Sequence, residues 1–276
     1  EYQRWQETVR ALQRQIAEIP PLPTAWIGNF KQPTEPTYLM LGGDPAKRGP
    51  DVVPASLSIL DKVLPTYQMA VDAPEAKRRA ALANWIVNRA NPLTPRVLAN
   101  RIWHYHFGRG IVATPSDFGY NGGRPSHPEL LEWLANQVHR SGWRWKPLHK
   151  LIVTSATYRQ SSRFNAAAAE VDAGAVFLWR FPPQRLTAEA IRDSLLAIAG
   201  KLDRKMGGPG FRLYRYTVDN VATYYPLDKV GPGTYRRAVY HQNPRAVKVD
   251  VLGEYDLPEC SLPAPRREVT TSPLQA

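Results

Sequence analysis

The chain has 276 residues, is 43% apolar with eight tryptophans, and carries a formal net charge of +12. That length and apolar share are enough for a substantial core, and the charge suits acidic partners without choosing among nucleic acid, anionic glycan, phospholipid and acidic protein. No run of about 18 apolar residues is present to span a bilayer, and the single cysteine, Cys260, excludes an internal disulfide, a multi-cysteine zinc site and covalent c-type haem attachment.

Glu1 to Ile19 places Trp5, Val9, Leu12 and Ile16 at spacings of three and four, which predicts an amphipathic helix in need of a partner surface. From Pro20 to Pro74 prolines break the periodicity, although Thr37 to Leu41 reads as a short strand before a Gly42-Gly43-Asp44-Pro45 turn. Asp72 and Glu75 have the spacing of a capping box and open a helix ending near Asn88. Thr94 caps a second helix with Pro95 at its first position, and Gly108 and Gly110 mark its end. Ser126 and Glu129 form another box, for a helix running through Leu130, Leu131, Leu134 and Val138 towards Gly142. From Pro147, the residues Leu148, Leu151, Ile152 and Ser155 repeat on one face. Thr187 opens a last helix with Ala188, Ile191, Leu195 and Ile198 inward, closed by Gly200. Phe211 to Val218 and Tyr235 to Gln242 alternate like short strands, and a proline-rich tail follows from Leu257.

The resulting fold class is mainly α: an irregular multi-helix bundle with long proline-rich connections and a small β element near the C-terminus. Its expected divisions are a lead-in helix (1–19), a proline-rich irregular segment (20–74), a helical core (75–205) and a β element with an extended tail (206–276).

Between Glu132 and Glu170 there is no acidic residue, so Arg140, Arg144, Lys146, Lys150, Arg159 and Arg163 lack a nearby counterion. They must be solvated, paired from afar or offered to an anion. His104 and His106 are two apart, roughly 200° around a helix, and cannot chelate one ion. His106 is therefore expected to bond backbone near its helix end, and no metal site is expected. Arg101 and Arg109 either bind an anion or hold the following loop through its carbonyls or Asp117. His127, beside Ser126 and Arg124, stands at an anion-tolerant helix start, though capping alone explains the motif. Tyr158 and Arg159, with Trp143, Arg144 and Trp145, suit a sugar or single-stranded nucleic acid; the alternative is that both tryptophans anchor the core. Arg185, Glu189, Arg192 and Asp193 read as an ion-pair network along one helix, and the arginines argue against a Glu189/Asp193 acid–base pair. No phosphate loop, nucleophile elbow, helical zinc pair or EF-hand pattern occurs.

The strings NPLTPRVLANRIWHYHFGRGIVATPSDFG, RPSHPELLEWLA, SGWRWKPLHKLIVTSATYRQSS, RLTAEAIRDSLLAIAGKL, MGGPGF and REVTTSPLQA resemble the planctomycete PSD-one domain family. The resemblance covers about Leu39 to Ala276. Tyr105 departs from it, standing where relatives often carry histidine, and the chain ends where such proteins continue into a leucine-rich helix, so the tail is expected to be truncated. The resemblance implies a periplasmic, cell-surface or extracellular setting beside cytochrome c-like domains, with any haem in a partner or neighbouring domain and no cofactor in this chain.

The expected function is a non-catalytic scaffold or binding module that contacts an acidic protein or anionic polysaccharide. Its candidate binding set is Arg101, His106, Arg109, His127, Arg144, Tyr158, Arg159 and Arg192. The alternatives are an enzyme with an Arg/His site for an anionic or carbohydrate substrate, and a subunit of a larger redox assembly; nucleic acid is not expected.

Overall fold

The computed structural model describes residues 1–19, 28, 36–219, 222–243 and 250–275. The chain forms two compact units, Glu1–Asn91 and Pro92–Ala276. Among the described residues helix outweighs strand, 42% against 10%, but two small antiparallel sheets make the class mixed.

In the first unit, α1 (Tyr2–Glu18) forms as its periodicity predicts, yet it has no buried residue. β1 (Thr37–Met40) pairs antiparallel with β2 (Arg48–Val52), Thr37 opposite Val52 and Met40 opposite Arg48. The intervening turn uses Gly42 and Gly43 at φ 66° and 78°, the left-handed region where a Cβ is costly. α2 (Glu75–Ile86) begins after Pro74 with no side-chain cap, so the expected Asp72/Glu75 box does not form. Its end is closed instead by buried Asn91, whose amide donates to the carbonyls of Trp85 and Ile86 at 3.3 and 3.2 Å.

The second unit is organised by α3 (Leu93–Phe107). This helix buries Ala99, Ile102, Trp103 and Phe107 against Leu131, Leu134 and Val138 of α4 (Pro128–Arg140) and Leu148 and Ile152 of α5 (Trp145–Val153). Fully burying each large apolar side chain is worth about 1.5–3 kcal/mol, so these three helices form the energetic centre of the unit. α3 starts one residue before the expected Thr94 cap, at Pro92/Leu93, and ends on Gly108 at φ 76°. The Ser126/Glu129 box is also absent. His127 is the N-cap of α4, and the Ser126 hydroxyl donates to the Ile111 carbonyl at 3.3 Å, which ties the preceding loop down.

Ser155 does not extend α5; its hydroxyl accepts from the Tyr158 amide at 3.1 Å and caps the short α6 (Ala156–Arg159). α7 (Ala166–Val171) is capped by Asn165, and α8 (Ala188–Ile198) by Thr187 as expected. Along α8 Ala188 is buried, but Leu195 and Ile198 are 58% and 85% exposed, so the inward face drawn from spacing is only partly real.

The strand expected within Phe211 to Val218 forms at Tyr214–Val218 (β3) and pairs antiparallel with Ala222–Pro226 (β4), while no strand forms at Tyr235 to Gln242. The 235–242 segment instead makes a short 3-10 turn and isolated bridges, Phe211 to His241 and Asp203 to Arg236. α9 (Asp250–Glu254) follows, burying Leu252.

Candidate functional site

The acid-free stretch runs from α4 through α5 and α6, alternating core and exposed residues. α4 ends at Arg140, and Gly142 and Trp143 both adopt left-handed backbone, φ 61° and 62°, which turns the chain sharply into α5. The Ser141 hydroxyl donates to the Val138 and Arg144 carbonyls at 2.9 and 3.0 Å and fixes that turn. On α5, Leu148 and Ile152 face the core, which leaves Lys146 and Lys150, four residues apart, on the exposed side.

Arg140, Arg144, Lys146, Lys150, Arg159 and Arg163 are all exposed, and among the described residues none forms an ion pair. Of their side chains, only that of Arg144 makes a hydrogen bond among the described residues, its Nε donating to the Ser141 carbonyl at 3.1 Å. Trp145 is 57% exposed and lies on this surface, so it is no core anchor. Trp143 and Tyr158 pack against the core. Tyr158 stands edge-on to Phe107 at 5.7 Å and to Phe181 at 5.2 Å, so its ring is part of the packed aromatic cluster rather than of the exposed surface.

His106 does not bond backbone through its ring, as expected from its place near the helix end. Its Nε2 lies 2.8 Å from Nδ1 of His149 on α5, a residue that sequence reasoning passed over because its partner is 43 positions away. Burial, and then the neighbouring His149, hold the His106 pKa below its ordinary 6.5, so this ring is neutral at neutral pH. The 200° argument for the His104/His106 pair agrees with this geometry. His104 feels Arg266 of the tail, while His106 faces α5.

The other expected residues take separate places. Arg101 and Arg109 are exposed without ion pairs among the described residues, and neither holds the following loop. Asp117 accepts from the Gly119 amide at 2.8 Å. The loop is stapled by the fully buried Asn100, whose amide donates to the Val112 carbonyl at 3.0 Å and accepts from the Val112 amide at 2.8 Å. The His127 ring sits 2.9 Å from the Ser126 hydroxyl and edge-on to Phe177 at 5.7 Å.

Arg192 is not available to a ligand. It donates to the carbonyls of Arg236, at 2.9 Å, and Thr234, and its guanidinium lies 5.0 Å from the centre of the Phe211 ring. The network expected along α8 forms in part, Arg192 lying 3.6 Å from Asp193, and is extended by the tail. Arg267 grips Glu189 through two bonds at 2.6 and 2.8 Å, and Arg185 bonds Asp256, Gln275 and the Thr270 carbonyl. Asp193 accepts from the Ala238 amide at 2.7 Å. Burial works to raise the Glu189 pKa, but the Arg267 hydrogen bonds and charge outweigh it, leaving the carboxyl below its usual value and unsuited to act as a general acid.

Three histidines give the unit an acid-sensitive stability. His104, His106 and His241 all have pKa values lowered from 6.5, chiefly by burial, and the Nε2 of His241 is buried without a hydrogen-bond partner among the described residues. In the unfolded chain these rings take up protons near pH 6.5, whereas in the folded one they resist until lower pH. Their contribution is therefore intact above 6.5 and is lost as pH falls through the lowered folded values. The Glu189 and Asp256 carboxyls, also lowered, act in a separate window in the carboxylate range. The thermal midpoint is expected to drop between about pH 7 and about pH 5, with a shallower slope in His106→Gln; a midpoint constant over that span contradicts it.

The family model described as PSD1, protein of unknown function (DUF1553), matches residues 78–276. No curated protein and no solved structure matches the chain.

Proposed function

This chain belongs to the PSD1 family, and from that premise we propose that it is a non-catalytic docking module whose α4–α6 face binds an acidic partner, protein or glycan. The observation that carries the reading is the set of six exposed cations without ion pairs among the described residues, with Trp145 beside them. Charged groups paired on the surface contribute little, whereas unpaired ones raise the local potential and favour an anion's approach. The opposite arrangement holds at Arg185, Glu189, Arg192 and Asp193, whose bonds to the tail, to backbone or to each other serve the fold, so the acid–base reading loses its best carboxylate. Of the expected set, Arg144 and Arg159 belong to this face, Tyr158 belongs to the packed aromatic cluster with His106 edge-on to it, and Arg101 and Arg109 are further exposed cations of the same unit. A setting outside the cytoplasm beside cytochrome c-like domains is part of the proposal, and rests on the sequence resemblance.

The test is binding of a sulfated polysaccharide and of polyglutamate to the full chain, across a salt series. Lys146→Glu, Lys150→Glu and Arg159→Glu together are expected to weaken binding at least about tenfold and to flatten its salt dependence, since screening acts on exposed charge. Affinity indifferent to salt, or lost equally in a Lys62→Glu, Lys77→Glu control, overturns the reading.

A further inference from the structure

α1 stands out because its apolar stripe is complete and, among the described residues, largely exposed. Tyr2, Trp5, Leu12, Ile16 and Ile19 are 69%, 61%, 52%, 67% and 67% exposed, Val9 is only half-buried, and the helix has no buried residue. Within the helix the spacings from Tyr2 to Ile16 run 3, 4, 3, 4, a strict heptad with Tyr2, Val9 and Ile16 at the first core position and Trp5 and Leu12 at the second; Ile19, the extended residue that ends the helix, follows three residues on. A helix packed on a globular core or lying in a lipid surface shows a wider apolar face. A stripe confined to these two positions is the narrower seam of a coiled coil.

We propose that α1 pairs with α1 of a second copy of this chain as a parallel two-stranded coiled coil. Three features select a second copy. β-branched Val9 and Ile16 at the first core position with Leu12 at the second is the combination that favours two parallel strands. The positions flanking the seam inside the helix, Gln6, Thr8, Gln13 and Gln15, are uncharged, so two identical helices bring no like charges together across the interface. Residues 1–18 carry three arginines against three glutamates, a balanced segment in a chain of net charge +12, which suits neither an anionic membrane nor a polyanion. At 17 residues the helix offers about two and a half heptads, so the pairing is weak and concentration-dependent.

Sedimentation of the full chain over about a hundredfold concentration range tests this. A reversible monomer–dimer equilibrium is expected, with the dissociation constant raised at least about tenfold in Leu12→Glu and unchanged in the outer-face Arg10→Glu. In a Cys260→Ser background, Leu12→Cys is expected to cross-link on oxidation and Arg10→Cys is not, because parallel pairing places the two Leu12 positions side by side. Monomer at every concentration overturns the proposal, as does a dimer that survives Leu12→Glu. If the chain is monomeric and Leu12→Glu lowers its unfolding midpoint, α1 covers its own chain instead; if it is monomeric and binds lipid vesicles, the occupant is a bilayer. Either result also refutes it.

Discussion

Asn100→Ala is expected to destabilise the chain by about 2–6 kcal/mol, among the largest losses available to a single polar substitution here. Asn100 is fully buried on α3 and makes two hydrogen bonds to one residue, Val112, 12 positions on. Removing the amide leaves a peptide N–H and a carbonyl inside the unit with no partner and no water, and each such group costs about 1–3 kcal/mol. The loop cannot move aside to recover them. Ile111 and Val112 are themselves 2% exposed in the core, and a Cβ at Gly110 would lie 2.5 Å from the Val112 carbonyl oxygen, so backbone and amide are already in close contact. Urea unfolding followed by tryptophan fluorescence measures the change. A loss under about 0.5 kcal/mol, the usual range for a surface substitution, would mean that the loop does not depend on this staple.

Phe107→Ala is the second large effect, at about 3–5 kcal/mol. Phe107 is 2% exposed and is the meeting point of α3, α6 and the loop before α8. Its ring stacks on Trp103 at 4.2 Å and touches Tyr158 of α6 and Phe181 of the loop before α8, at 5.7 and 5.9 Å. Truncation opens a cavity that three large rings cannot all collapse into. Its functional consequence is local: Tyr158 also stands edge-on to His106 at 5.6 Å, so the layer beneath the α5–α6 cations loosens with it. Polyanion affinity is expected to fall in Phe107→Ala and to be largely restored in Phe107→Leu, which keeps most of the volume. Unchanged stability in Phe107→Ala would show that the aromatic cluster is not what joins α3 to α6.

The helices were legible because their signal is local. The 3.6-residue periodicity of α1, α3, α4 and α8 and the Gly108 stop need no knowledge of the rest of the chain. The Ser126 cap fails for a physical reason. A capping box describes a favourable local bond, and Ser126 uses its hydroxyl on the Ile111 carbonyl 15 residues away, a partner that exists only once the loop is in place. Arg192 was misread likewise, since its acceptors, the Arg236 and Thr234 carbonyls, are more than 40 residues on. His149 and Asn100 went unnoticed because a lone histidine or asparagine in a helix carries no pattern.

What the amino-acid order determined by itself is the helical character of the chain, its family, its positive charge and the absence of any acid near the α4–α6 cations, because these are properties of composition and short-range spacing. Tertiary structure alone decided which charges stay open to solvent and which are bound into the fold. Arg140 to Arg163 remained outward since α5 turns its apolar side to the core, while Arg185 and Glu189 were claimed by the tail, with Asp256 and Arg267 brought to α8 from some 70 to 80 residues downstream. A side chain's partner depends on where the backbone returns, and that distance in space is not written in the distance along the chain.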